Sequence, residues 1–204
     1  MTDLRAAVLA ALVATALTFL AGVRVAFRRP PRGHRYRASR VSGPILAVEL
    51  VAVAAAPVPP GRGIAAIAML AAAAGLFLWA SWTNRARKLA LAFAGVAPDH
   101  VQTAGPYALV RHPCYAAYVL GFLAGAVAAG TPWLAPAVAA GAITYWRAAA
   151  QEEEAFARGP LADAYRAYAA RTGRFLPRLR YERDGSAPVA VAPARSRSPD
   201  GNAG

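Results

Sequence analysis

The sequence predicts an all-α, polytopic membrane protein of about five transmembrane helices, followed by cytoplasmic amphipathic helices. Three observations predict it. Apolar residues make up 57% of the 204 residues and charged ones only 16%, well below the roughly 25% of a soluble domain. The apolar residues fall in long uninterrupted runs, the pattern of membrane helices. The basic residues, almost all arginine and giving a net charge of +13, lie between those runs, where anionic headgroups account for them. Membrane lipids are the expected neighbours. No nucleic-acid recognition module is visible, so nucleic acid is not an expected partner.

The first run, Arg5 to Phe27, carries its dense positive charge after the apolar core, in RRPPRGHRYRASR. A signal peptide carries it before. At about 1.5 Å per residue the run also spans a core of about 30 Å, so it reads as a transmembrane helix. The second run is Val41 to Val58, ending in PVPPGRG, and the third is Gly63 to Thr83, followed by NRARK. Leu89 to Val101 is mixed and reads as an interfacial stretch leading into TAGPY. The fourth run starts at Pro113 and ends near Gly130, where GTPW predicts a turn. The fifth runs from Trp133 to Ala150 and passes straight into QEEEAF, so the last two spans form a hairpin with almost no loop. The excess of arginine after the first span places that loop in the cytoplasm. The N-terminus is then outside, and NRARK, VRHP and the C-terminal segment are inside.

Beyond the fifth run, Phe156, Leu161, Tyr165 and Tyr168 recur at helical spacing. Gly159-Pro160 predicts a break into two helices, with Pro160 in the first turn of the second. Residues 1–182 form the membrane domain, with its catalytic half at 99–178. Residues 183–204 are rich in Pro, Ser, Gly and Arg without periodicity, which predicts a disordered tail.

The single cysteine, Cys114, excludes an internal disulfide and a cysteine-based zinc site, and His34, His100 and His112 are not spaced as metal ligands. In VRHPCY, Pro113 suits the first position of a helix, which puts His112 at the cap. The N–H groups of Cys114, Tyr115 and Ala116 then point out of an end that attracts anions, aided by Arg111 and His112. The plain alternative is that Arg111 snorkels to headgroups while Tyr115 and Tyr118 form an aromatic belt. Tyr107, after the Gly105-Pro106 turn, is either a cover for a flat or cationic ligand or an interfacial tyrosine. Glu152 to Glu154 follow the fifth span on the arginine-rich side, where acidic residues are disfavoured. Glu154 and Arg158 form an i, i+4 pair. That leaves Glu152 and Glu153 to accept from hydroxyl or ammonium groups, and the hairpin returns them to VRHP.

GPYALVRHPCYAAY, followed by a short hairpin and then EEAF, YRAY and RFLP, resembles the isoprenylcysteine carboxyl methyltransferase-like and phospholipid methyltransferase-like integral membrane enzymes. The resemblance covers about Val101 to Pro177, and the N-terminal spans match only as generic membrane helices. It implies binding of S-adenosylmethionine at the cytoplasmic face. It implies cofactor contacts from Val101, Gln102, Tyr107, His112, Pro113, Cys114, Tyr115 and Glu153. The prenylcysteine-type enzymes carry an arginine four residues before the first glutamate, to meet a substrate carboxylate. Alanine, Ala149, stands there in this chain, and Arg147, the nearest cation though on a different face of the helix, is the candidate substrate contact.

The leading expectation is therefore methyl transfer from S-adenosylmethionine to a lipophilic acceptor, a carboxylate, phenol, amine or thiol, at the cytoplasmic face of a bacterial inner membrane. No residue stands out as a general base. Two other readings differ in class. One is a nicotinamide-dependent membrane reductase sharing the RHP stretch. The other is a non-enzymatic helical membrane subunit whose Arg and Tyr residues anchor it.

Overall fold

A computed structural model describes residues 2–26, 37–85 and 100–178. The expected interfacial stretch at Leu89 to Val101 lies mostly outside the described residues, and the expected disordered tail lies wholly outside them. Regular structure among the described residues is helical: α1 (Thr2–Ala26), α2 (Arg37–Ala55), α3 (Pro60–Asn84), α4 (Pro113–Ala129), α5 (Ala135–Ala157) and α6 (Ala162–Arg171). Short 3₁₀ turns at Gly105–Ala108 and Pro132–Leu134 precede α4 and α5.

Five long helices thus stand where five apolar runs were read, but they are not equivalent. Asp3–Ala26, of 24 residues, and Pro60–Asn84, of 25, are long and apolar enough to cross a bilayer unaided. Only 22% and 33% of their most apolar windows are buried. Leu17, Leu20, Ile64 and Trp82 all face outward, the reverse of a soluble core helix. The apolar part of α2 is shorter, Val41–Ala55, and α4 ends at Ala129. Both lengths are set by punctuation. Pro113 opens α4, and Gly130 closes it at φ +64°, a left-handed conformation that glycine adopts without strain. The apolar part of α5 stops where Gln151 begins the polar run.

The helices pack through small residues. α3 lies chiefly against α4 and α1, and α2 against α4 and α5. On α4, Ala117, Gly121, Ala124, Gly125 and Ala128 are buried, the small-residue spacing that lets helix backbones approach closely in a bilayer. Phe19 of α1 rests 3.5 Å from where a Gly121 side chain would begin. It meets Phe77 of α3 and Tyr118 of α4 edge-on, with ring centroids 4.8 and 4.9 Å apart, which ties three helices together.

The α4–α5 hairpin positions the site. His112 precedes Gly130, and Glu152 follows Leu134, by about 18 residues each, roughly 27 Å of helix. Equal arms bring the end of α5 back level with the start of α4. Past Ala157 the chain turns at Gly159-Pro160, and α6 begins at Ala162. Pro160 therefore sits ahead of the second helix and not in its first turn, because Leu161 occupies the cap. Phe156 and Tyr165 stack across this turn, centroids 4.4 Å apart and planes 5° apart, so the aromatic face folds back on α5.

Glu49 of α2 is 1% exposed, and its Oε1 has no hydrogen-bond partner among the described residues. Its carboxyl carbon lies 2.5 Å from where a Cβ on Gly125 would stand. Burying an unpartnered polar oxygen costs about 1–3 kcal/mol. Glu49→Met, of similar volume, is expected to raise the thermal unfolding midpoint in detergent, and Gly125→Leu to lower it. An unchanged or lower midpoint for Glu49→Met would show that the carboxyl is held by a compensating interaction.

Candidate functional site

The site forms where three chain segments meet: the start of α4, the end of α5 and the segment after α6. Pro113 fixes the first turn of α4, and His112 is its N-cap without capping through its side chain. The backbone N–H of Ala116 bonds to the His112 carbonyl at 3.0 Å. Ala116 therefore does not offer a free donor at the helix end, contrary to the sequence expectation. It is already the fourth helical position, the first with an intrahelical acceptor. The N–H groups of Cys114 and Tyr115 lie outside that ladder.

After α6 the chain runs back beside VRHP as a short parallel pairing of Val110 with Gly173. The Arg111 N–H donates to the Gly173 carbonyl at 2.8 Å, and the His112 N–H to that of Arg174 at 3.1 Å. Glycine is required at 173, because a Cβ there would collide with the carbonyl of Leu176. This tight turn delivers Arg174 to the site.

The side chains form one charge cluster. His112 places Nδ1 3.1 Å from Glu152 and Nε2 3.2 Å from Glu153. Glu153 also accepts from Arg111 Nε at 3.0 Å and from Arg174 through Nε, at 3.1 Å, and Nη2. The Tyr115 hydroxyl donates to Glu152 at 2.8 Å, and the Tyr115 ring stacks on the imidazole at 5.6 Å. Arg111 is 10% exposed, and its Nη1 donates to the carbonyls of Ala169 and Thr172. The headgroup-anchor reading of Arg111 is thus corrected: its guanidinium is committed inside the protein. Glu154 pairs with Arg158 at the surface, as its spacing predicts.

A second network lies behind the first. The Tyr107 ring is buried, and its hydroxyl accepts from Asn84 Nδ2 at 2.7 Å. Gln102 Nε2 donates to Asn84 Oδ1 at 3.2 Å, and Gln102 Oε1 accepts from the N–H groups of Thr103 and Ala104. Tyr168 donates to the Tyr107 carbonyl at 2.7 Å. Cys114 Sγ lies 3.8 Å from the Tyr107 hydroxyl. Of the residues singled out from sequence, His112, Pro113, Cys114, Tyr115 and Glu153 thus gather around the α4 N-terminus. Tyr107 and Gln102 form its inner wall, and Val101 is partly exposed next to Gln102. Arg147 stands on an exposed face of α5, whereas Ala148 and Ala149 are buried. Sequence reasoning missed Asn84, and it carried Tyr168 and Arg174 only as members of YRAY and RFLP, with no site role. Asn84 closes an apolar run and looks like a helix stop, and Arg174 sits in a segment without periodicity.

Electrostatics follow from the contacts. Burial opposes the charged form of His112, but hydrogen bonds to Glu152 and Glu153 outweigh it and hold the imidazole above its ordinary value. Burial also opposes the charged form of Glu153, and here His112, Arg174 and Arg111 prevail, holding it well below the usual carboxylate range. Burial raises the phenols of Tyr107 and Tyr168, the latter to about 12. A carboxylate oxygen accepts hydrogen bonds, so the imidazolium form of His112, with a donor on each nitrogen, is the form that satisfies both contacts.

Residues 62–161 match the model of the phospholipid methyltransferase family. Over that segment, just under half of its length, the chain is similar to the family. The matched segment contains nearly all of α3 and the whole of α4 and α5 and stops before α6, so it begins and ends earlier than the resemblance read from sequence. No curated protein and no solved structure matches the chain. The family is one of methyltransferases, which supports an enzyme over a purely structural subunit, and with the two long apolar helices it supports a membrane protein.

The raised His112 contributes stability that is complete below its ordinary value of about 6.5 and lost as pH rises through the folded value. The depressed Glu153 contributes stability that is complete above about 4.3 and lost as pH falls through its folded value. The thermal midpoint is therefore expected to peak between about pH 4.3 and 6.5. His112→Gln should remove the decline on the alkaline side, and an NMR titration of His112 should give a midpoint above about 6.5 that falls in Glu152→Gln.

Proposed function

We propose that this protein transfers a methyl group from S-adenosylmethionine to a lipophilic acceptor at the cytoplasmic face of the membrane. One observation carries the reading: a cluster of donors and acceptors closes around the open N-terminus of α4, with Arg111, His112, Glu152 and Glu153 inside the segment that matches the methyltransferase family and Arg174 just beyond it.

The residues present fit such a cofactor. Its amino-acid end carries a carboxylate and an ammonium group, and its ribose a diol. The N–H groups of Cys114 and Tyr115, which have no intrahelical acceptor, and the dipole of α4 suit the carboxylate. With His112 charged, three cations face two carboxylates, an excess of one positive charge that favours an anion in the cluster. Glu152 is 24% exposed against 16% for Glu153, so Glu152 is the freer acceptor for an ammonium or hydroxyl group. Val101 and Gln102 border the same wall as Tyr107, on the side suited to the rest of the cofactor.

When bound, S-adenosylmethionine supplies an electrophilic methyl on a sulfonium. The chain's own contribution is alignment and exclusion of water. His112 has no lone pair free to take a proton, because both nitrogens donate to carboxylates. It holds and orients. An acceptor that is already nucleophilic, or that ionises by itself, needs no base here. Tyr107 and Tyr168 keep their protons and pin the 3₁₀ turn to α3 and α6.

Isothermal titration of the purified full chain with S-adenosylhomocysteine tests the reading. Binding is expected in the wild type, and a loss of about tenfold or more is expected in His112→Ala and in Glu153→Ala, each of which breaks a charge-assisted contact. Absence of binding in a folded wild type, or affinity unmoved by both substitutions, overturns it.

A further inference from the structure

Arg174 differs from the other cations of the cluster. His112 spends both nitrogens on carboxylates, and Arg111, 10% exposed against 26% for Arg174, spends Nε on Glu153 and Nη1 on two backbone carbonyls. Arg174 grips Glu153 side-on, through Nε to one oxygen and Nη2 to the other. This leaves Nη1 without a hydrogen bond among the described residues. A planar guanidinium held along that edge presents its opposite edge, the remaining Nη2 and Nη1 protons, to a second oxyanion in the same bidentate geometry.

The surroundings say which way that edge belongs. The guanidinium carbon lies 4.6 Å over the ring of Trp146, and Phe175 packs against the same indole at 5.8 Å. Trp146 is two helical turns before Glu153, about 10 Å along α5 toward its apolar part. Its indole is 54% exposed, and Ile143, one turn further on, is 52% exposed. The open arginine edge therefore sits where the charge cluster ends and the apolar outer face of α5 begins. A cation over an exposed indole, bordered by aliphatic surface, suits an anionic head joined to a hydrocarbon tail.

We propose that Arg174 and Trp146 form a seat for the headgroup oxyanion of an anionic lipophile, a carboxylate or phosphate, whose tail lies along Ile143 on α5. The seat adjoins the cofactor site, so as an acceptor site it rests on the methyl-transfer reading; its binding property is measured without turnover.

The test uses the full chain in nanodiscs of zwitterionic lipid. Tryptophan fluorescence is quenched with a brominated long-chain carboxylate and, in parallel, with the brominated alcohol of the same chain. The wild type is expected to bind the carboxylate at least about tenfold more tightly than the alcohol, as a charge-assisted bidentate contact implies. Arg174→Gln should bring the two affinities together, and Arg174→Lys should retain only part of the preference. Because both probes share the tail, a variant that merely loosens the fold weakens both equally and keeps the ratio. Equal affinities in the wild type, or a ratio unmoved in Arg174→Gln, overturns the seat. Displacement of the carboxylate by inorganic phosphate overturns its assignment to a lipid headgroup, and displacement by S-adenosylhomocysteine assigns Arg174 to the cofactor instead. Selectivity that persists in a chain that fails to bind S-adenosylhomocysteine leaves the seat standing and removes the methyl-transfer reading alone.

Discussion

Glu153 is the point on which three segments of the chain depend. It stands at the end of α5, and its two oxygens receive His112 and Arg111 from the start of α4 and Arg174 from the segment beyond α6. Each of those partners is held in place by backbone bonding of its own, Arg111 and His112 to Gly173 and Arg174. The carboxylate therefore closes a ring: helix start, helix end and return segment are each fixed by the other two. Such an arrangement is costly. Taking charges out of water costs several kcal/mol per ion, and buried ion pairs often contribute little net stability. What the cluster does supply is a preorganised set of donors and acceptors, which a water-exposed group does not provide.

The membrane part and the charged part answer to different physics. α1 and α3 turn apolar side chains outward, and α3 packs inward through Gly63, Ala66, Ala73 and Ala80 beside Leu70 and Phe77, as helices do when the surroundings are as apolar as their own side chains. The charged part lies at the end of that bundle, where α3 terminates at Asn84 and α4 begins. Asn84 bridges the two. Its amide is fully buried, and it joins Gln102 to Tyr107, so the inner wall of the site is anchored to one of the two helices that are long enough to span. The bundle acts as a rigid base for groups that must stay within fractions of an ångström of one another to be useful.

Much of this was legible in the residues themselves. Long apolar runs ended by proline, glycine and arginine determined where the helices lie, because in an apolar solvent a backbone must satisfy its own hydrogen bonds. GTPW between two runs of similar length determined that Glu152 and Glu153 return to VRHP. The motif spacing pointed to the methyltransferase family, which the match at residues 62–161 then showed. The number of true spans was less legible: periodicity marks apolar helices, and only length and outward exposure separate α1 and α3 from the shorter α2 and α4.

Only the tertiary structure decided how the charges are shared. In sequence, Arg111 reads as a lipid anchor or as a cation at an anion site, and Arg174 only as the first residue of RFLP. Ion pairing depends on distances across segments tens of residues apart, and a one-turn shift of α5 would hand Glu153 different partners. Sequence alone determines the helices, the hairpin and the kinds of charge that meet, because these follow from local periodicity and chain punctuation. Which guanidinium is buried and which stays partly open, Arg111 or Arg174, follows from the parallel pairing of Val110 with Gly173, a contact between two irregular segments that leaves no periodic trace.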